Sequence, residues 1–282
     1  MRPQQWIKNF FLYAALVFSG NLFHPDLVYH VTEGFILFSF VASGIYILND
    51  LTDLQKDKLH PEKSKRPLPS GKVSAGTAIV ACIVLLLFGI AGAYFINPSF
   101  SVIVLVYVVI NVLYSFVLKN LVILDVMTIS AGFVLRVIAG AVLINVPTSE
   151  WLLICTVLLS LFLGFSKRRH ELSILERDAN SHRSVLEQYT PYFLDQMIGI
   201  VTASTVMSYA LYCISDETVK KFGTNKLIYT VPFVLYGIFR YLYLVHRRVE
   251  GGNPTRVALT DAPLLVNLFL WIICASIIIY GK

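Results

Sequence analysis

Long apolar runs alternate with short polar breaks along the whole chain. The runs fall at 5–23, 28–49, 75–96, 100–118, 122–144, 150–167, 191–214, 227–246 and 262–281. A helix needs roughly 20 apolar residues to cross the hydrocarbon of a bilayer, and each run is close to that length. The pattern therefore predicts an all-α integral membrane protein with nine transmembrane helices. The breaks carry turn and cap chemistry. His24-Pro25-Asp26 ends the first run, Pro67-Leu68-Pro69-Ser70-Gly71 precedes the third, and Asn97-Pro98 precedes the fourth. Thr190-Pro191 reads as an N-cap followed by proline at the first helical position, and Thr260-Asp261 as a second cap. The first run passes from Trp6 to Phe23 without a small-residue cleavage site, so it is expected to stay in the membrane.

Composition narrows the class further. Of the 282 residues 56% are hydrophobic and 14% charged, and the mean hydropathy is +0.70. Soluble domains carry about 25% charged residues, and disordered chains have low hydrophobicity, so neither class fits. Nine helices leave short loops and no second soluble domain. Residues 1–282 read as a single polytopic membrane domain with longer loops at about 50–74 and 168–190. The four cysteines, Cys82, Cys155, Cys213 and Cys274, lie in apolar runs and read as small buried hydrophobes.

Charge sets the expected orientation. If the N-terminus is cytoplasmic and the runs alternate, most of the 23 Lys and Arg fall on the cytoplasmic side. The other side keeps Lys220, Lys221, Lys226 and Lys282, while Arg136 and Arg240 lie within runs. The positive-inside rule then predicts a cytoplasmic N-terminus and an external C-terminus, and the protein is expected in the cell inner (plasma) membrane. The net charge of +6 sits in short loops between membrane runs, which argues against nucleic acid as a partner.

Five constellations carry candidate chemistry. Asn49-Asp50-Leu51-Thr52-Asp53-Leu54-Gln55-Lys56-Asp57 spaces three carboxylates three and four apart, which puts them on one face of a helix. Like charges so placed need compensation, and Mg²⁺ takes carboxylates together with substrate phosphates. The turn His60-Pro61-Glu62-Lys63-Ser64-Lys65-Arg66-Pro67 follows directly, with Lys63 and Arg66 as phosphate ligands. Tyr114-Ser115 and Lys119 end the fourth run. Asp125 and Arg136 stand eleven residues apart on the fifth, close to three turns, and so share a face. Lys167-Arg168-Arg169-His170-Glu171 closes the sixth run. Two further features read as structural. In the stripe Tyr236, Arg240, Tyr243, Arg247, Arg240 is expected to snorkel to the interface. Asp195 reads as a favourable charge in the first turn of its helix.

Together these motifs resemble the UbiA superfamily of intramembrane prenyltransferases over nearly the whole chain. The landmarks are Arg2-Pro3-Gln4-Gln5-Trp6-Ile7-Lys8-Asn9, the NDxxDxxxD run from Asn49, HPxKxxRP from His60, and Tyr114-Ser115 with Lys119. Gly132-Phe133-Val134-Leu135-Arg136, the Lys-Arg-Arg-His-Glu run and His182-Arg183-Ser184-Val185-Leu186-Glu187-Gln188-Tyr189-Thr190 complete the set. Their combination points to the branch that transfers phosphoribose. The resemblance implies nine helices around a cavity open to the cytoplasm and to lipid. It also implies Mg²⁺ held by Asn49, Asp50, Asp53 and Asp57. The implied substrates are 5-phosphoribosyl diphosphate (PRPP) and a long polyprenyl phosphate, whose product feeds cell-wall arabinose donors.

Where ring-prenylating members carry a second acidic motif, this chain has Lys167, Arg168 and Arg169. Cations there suit substrates richer in phosphate. Lys63, Arg66, Tyr114, Lys119, Arg136, Lys167, Arg168 and Arg169 are accordingly expected to bind substrate, with Asp50, Asp53 and Asp57 catalytic. The alternative is prenyl transfer from a prenyl diphosphate to an aromatic or quinone precursor. A transporter is disfavoured, because the charges cluster on one side. Prenyl length and a homo-oligomer stay open.

Overall fold

The computed structural model describes residues 3–59, 63–175, 185–247, 257 and 260–281. His60, Pro61 and Glu62, the segment 176–184 with Arg177 and Arg183, and residues 248–256 lie outside them. Eight helices among the described residues are long and apolar enough to cross a membrane. They match the second to ninth expected runs. The chain divides into two compact units, Met1–Thr148 with Asp178–Gln188, and Ser149–Arg177 with Tyr189–Lys282.

The first expected span differs in kind. It is a 3₁₀ helix over Pro3–Leu12 followed by a six-residue α-helix, α1, over Tyr13–Phe18. At rises of about 2.0 and 1.5 Å per residue the two cover about 29 Å. That is nearly the roughly 30 Å of a hydrocarbon core, reached with fewer residues than a continuous α-helix uses.

The pairing with the next helix, α2 (Pro25–Thr52), shows why this geometry fits. Trp6 Nε1 donates to Ser43 Oγ at 3.1 Å, and Asn9 Nδ2 donates to Ser39 Oγ at 2.9 Å. Three 3₁₀ residues rise about 6 Å, as do four α residues, so the two pairs fall in register. Tyr13 OH meets Thr32 Oγ1 at 2.8 Å. Ser43 and Thr32 each give their single proton to a carbonyl one turn back, Ser39 O and Val28 O. Each oxygen is thereby left to accept from Trp6 or Tyr13.

The rest of the first unit is α3 (Leu54–Leu59), α4 (Ala75–Ile96), α5 (Pro98–Phe116) and α6 (Leu124–Leu143). Asn97, in the break read from sequence, accepts from Ser99 N and Phe100 N, and Ser74, which the sequence reading did not name, caps α4 by accepting from Thr77 N. The core joins Leu12, Leu16, Phe38, Val41, Phe100, Val104, Tyr107 and Ala139. Small residues allow the closest approaches. A Cβ on Gly140 of α6 would meet the backbone oxygen of Leu12, and one on Gly89 of α4 would strike Val41. The opposite side of α4 exposes Leu87, Phe88, Tyr94 and Phe95, an apolar face suited to lipid.

The second unit holds α7 (Glu150–Leu175), α8 (Pro191–Ile214), α9 (Asp216–Phe222), α10 (Val231–Arg247) and α11 (Ala262–Tyr280). Within it α7 packs on α8, and α10 packs on α11, α8 and α7. Thr190 accepts from Phe193 N and Asp261 from Leu264 N, as the caps predicted. The α7 helix runs eight residues past the expected end at 167, so the basic run lies within it rather than at its edge.

Candidate active site

The acidic run sits at the C-terminal end of α2. Asn49 is about 36 Å along the helix from Pro25, beyond the roughly 30 Å of hydrocarbon. The helix breaks at Asp53 (φ −98°, ψ 7°), so the single continuous helix expected through Asp57 is instead α2 followed by α3. Hydrogen bonds from Asp53 N to Asn49 O at 3.0 Å and from Asp57 N to Asp53 O at 2.8 Å carry the helical pitch across the break. The three carboxylates therefore stay grouped.

Each carboxylate has a cation. Arg66 Nη1 donates to Asp50 Oδ1 at 3.0 Å and to Asp57 Oδ2 at 2.8 Å. Lys63 Nζ lies 3.6 Å from Asp57 Oδ1. Lys119 Nζ donates to Asp53 Oδ1 at 2.7 Å and approaches Thr52 Oγ1 at 3.4 Å. Asp57 is 3% exposed and Lys119 9%, and buried charges of that kind persist only when paired. Lys63, Arg66 and Lys119, read from sequence as phosphate ligands, thus act here as the counter-ions of the acids.

Lys119 is placed by a short 3₁₀ turn, Leu118–Asn120. The chain then turns at Ile123, where φ is 69° and Leu124 N donates to Val122 O at 2.8 Å. This is a γ-turn of the rare positive-φ kind, unusual for a β-branched residue. Ser115, one turn before Lys119, lies with its Oγ 2.6 Å from the Asn49 carboxamide and 2.8 Å from Asn111 O. Sequence reasoning quoted Ser115 in its motif without giving it a role. Tyr114 is half-buried on the same helix.

Arg136 finds its partners away from Asp125. It and Asp125 are both buried on α6, but eleven residues separate them by about 16 Å of rise. Arg136 instead donates to Asn9 Oδ1 (2.8 Å), Gly132 O (2.7 Å) and Tyr107 OH (3.0 Å). Its guanidinium lies 4.9–5.4 Å from the ring centroids of Tyr107, Phe38 and Phe133. Among the described residues no acid pairs with it. Aromatic faces and neutral acceptors hold this cation, and Asn9 ties it to the N-terminal segment.

The donor set fits a hard divalent cation. Mg²⁺ is commonly bound by one or two carboxylates plus substrate phosphates rather than by an all-protein cage. Among the described residues no three acids, histidines or cysteines form such a cage. One nitrogen of Arg66, however, is held between Asp50 and Asp57, which marks a point where two carboxylates already stabilise positive charge.

In the second unit, Arg168 is 1% exposed and pairs with Glu171, and Lys167 Nζ lies 3.6 Å from the same carboxylate. Arg169 Nε donates to Asp195 Oδ1 at 2.9 Å, so Asp195 serves as an ion-pair partner rather than as a first-turn charge. Arg240 likewise does not simply snorkel. It grips Asp261 with both arms, Nε to Oδ1 at 3.1 Å and Nη2 to Oδ2 at 2.9 Å.

A polytopic helical membrane protein with an aspartate run and matched cations at the end of its second helix is the class so defined. The chain belongs to the UbiA prenyltransferase family, whose model matches residues 9–273. Among curated proteins it is 32% identical to a decaprenyl-phosphate phosphoribosyltransferase of Corynebacterium glutamicum, over 99% of this chain and 85% of that one. It is 30% identical to the protein of the same name from Mycobacterium tuberculosis, over 96% and 90%. Among solved structures, a UbiA homolog from Archaeoglobus fulgidus bound to GPP and Mg²⁺ superposes with a TM-score of 0.72 at 21% identity, covering 99% and 97%. That likeness shows the fold.

Proposed function

We propose that this protein transfers 5-phosphoribose from PRPP to a long-chain polyprenyl phosphate, releasing diphosphate, for cell-wall arabinose donor synthesis. The observation that carries the reading is the nearly full-length similarity to decaprenyl-phosphate phosphoribosyltransferases. The charge arrangement supports it. PRPP brings a diphosphate and a 5-phosphate, the lipid brings one more phosphate, and the motifs supply cations in matching abundance.

Asp50, Asp53 and Asp57, with Asn49, would hold Mg²⁺, which when bound neutralises and orients the diphosphate leaving group. Arg66 and Lys119 then have phosphate oxygens as alternatives to their carboxylate partners. Lys63, Tyr114 and Arg136, and Lys167, Arg168 and Arg169, are the remaining candidates for phosphate contacts. A lipid phosphate oxygen forms the new bond to ribose C1 as the bond from C1 to diphosphate breaks. The attacking phosphate monoester is largely ionised at neutral pH, so no strong base is required.

The test is a transfer assay on purified protein with labelled PRPP and several polyprenyl phosphates. The expected product is labelled polyprenyl-phosphoryl-5-phosphoribose. Prenyl transfer from a prenyl diphosphate to 4-hydroxybenzoate, with PRPP ignored, would overturn the reading.

We further propose that the protein lies in the plasma membrane with the acidic run facing the cytoplasm. In a background lacking Cys82, Cys155, Cys213 and Cys274, Lys65→Cys is expected to label only from the cytoplasmic side. Lys221→Cys should label only from outside. Both positions are exposed. Labelling of both from one side would overturn this topology.

A further inference from the structure

We infer that Arg66 and a divalent cation are alternative occupants of one place, the point between Asp50 and Asp57 where Arg66 Nη1 lies. The inference rests on the metal-dependent reading proposed above and adds a condition on how the metal enters. Nη1 is 3.0 Å from Asp50 Oδ1 and 2.8 Å from Asp57 Oδ2, so carboxylates from α2 and α3 converge on one nitrogen. A Mg²⁺ ion shared by those two oxygens would lie about 2.0–2.1 Å from each, within the same gap. Two cations cannot fill it together. The other counter-ions are placed differently. Lys63 Nζ approaches the other oxygen of Asp57, Oδ1, at 3.6 Å, and Lys119 Nζ meets Asp53 Oδ1 at 2.7 Å.

Mutual exclusion makes the metal costly to bind alone. Displaced from both acids, Arg66 would stand beside a divalent charge, and repulsion between like charges opposes that. A diphosphate removes the penalty, because a guanidinium takes phosphate oxygens bidentately. Metal and diphosphate therefore favour each other's binding through Arg66, and the coupling is reciprocal. Arg66 is built to make the exchange. Its side chain is 32% exposed, against 15% for Asp50 and 5% for Asp57, so it is the accessible member of the three. It follows the 3₁₀ turn Lys63–Lys65, outside the spanning helices, so its movement need not shift one. The contact withholds the acids from a free divalent cation and yields them to one that arrives with diphosphate.

The first experiment measures Mn²⁺ alone, without diphosphate, on purified full-length protein in detergent, by the EPR signal of free Mn²⁺. Removing a competitor strengthens binding, the reverse of removing a ligand or its support. Arg66→Gln is expected to bind Mn²⁺ at least about tenfold more tightly than the parent, the lower end of what a charge-assisted hydrogen bond contributes. Lys63→Gln takes an equal charge from the same carboxylate but not from the shared point, and should stay within about fivefold of the parent. Parent-like or weaker binding by Arg66→Gln, or equal gains in the two variants, would sink the exchange and leave the metal reading standing. So would the absence of Mn²⁺ binding in all three proteins, whereas the metal reading itself falls if transfer continues in excess chelator. A second measurement needs no variant and serves if Arg66→Gln fails to fold. Phenylglyoxal modification of Arg66 in the parent, read by peptide mass mapping, is expected to quicken roughly tenfold at saturating Mn²⁺, since the same pairing is lost. It should slow again when inorganic diphosphate is added. A rate that Mn²⁺ leaves unchanged, or that diphosphate leaves raised, refutes the exchange.

Discussion

Asp50→Asn and Asp53→Asn are each expected to lower transfer activity by more than about a hundredfold. Removing only an outer partner of a metal ligand costs 10–100-fold, and on the proposed mechanism these changes would remove a charged ligand itself. The substitution also unbalances the cations. Without the Asp53 charge, Lys119 keeps a neutral amide oxygen in place of a carboxylate 2.7 Å away, while 9% exposed. Asp57→Asn should behave differently, because Asp57 is the buried member that holds both Arg66 and Lys63. A charge-assisted hydrogen bond contributes about 1.5–3 kcal/mol, so this variant should lose folded stability as well as activity. Initial rates with labelled PRPP at varied Mg²⁺, alongside thermal unfolding in detergent, separate the two effects. Undiminished turnover in excess chelator would refute the metal-diphosphate mechanism.

The second large effect is expected at the basic run of α7, where the structure ranks three adjacent cations by burial. Arg168 is 1% exposed and bound to Glu171, Arg169 is bound to Asp195, and the Lys167 side chain is 37% exposed. Arg168→Gln should therefore weaken use of PRPP or of lipid phosphate roughly 10–150-fold. That range is 1.5–3 kcal/mol converted at 1.36 kcal/mol per tenfold. Lys167→Gln should stay within about threefold of the parent, because an exposed pair contributes little. Kinetics of the three single Gln variants with both substrates varied is the measurement. If all three match the parent, the run only flanks the membrane.

Much of the fold is legible in the sequence because the bilayer is a simple solvent. It demands about 20 apolar residues per crossing and internal pairing of every backbone group, so composition and length alone locate the eight long helices. Caps are legible for a similar reason, since Asn97, Thr190 and Asp261 act on the residues next to them. The N-terminal segment is not legible as a 3₁₀ helix. Its pitch answers to Ser43 and Ser39, 37 and 30 residues from their partners, and to Gly140, where the Leu12 backbone leaves no room for a Cβ.

For the candidate site, the sequence by itself determined which charges exist and on which element each lies. NDxxDxxxD, the following basic turn and Lys119 are all visible in the linear pattern. Only the tertiary structure decided who meets whom. It set Arg66 between Asp50 and Asp57, Lys119 on Asp53, and Arg136 among three rings and Asn9, far from Asp125. It also set Arg240 on Asp261 and Ser115 on Asn49. The physical reason is reach. Helical periodicity fixes neighbours three or four residues apart, whereas a buried charge or amide takes its partner from whichever helix packs against it.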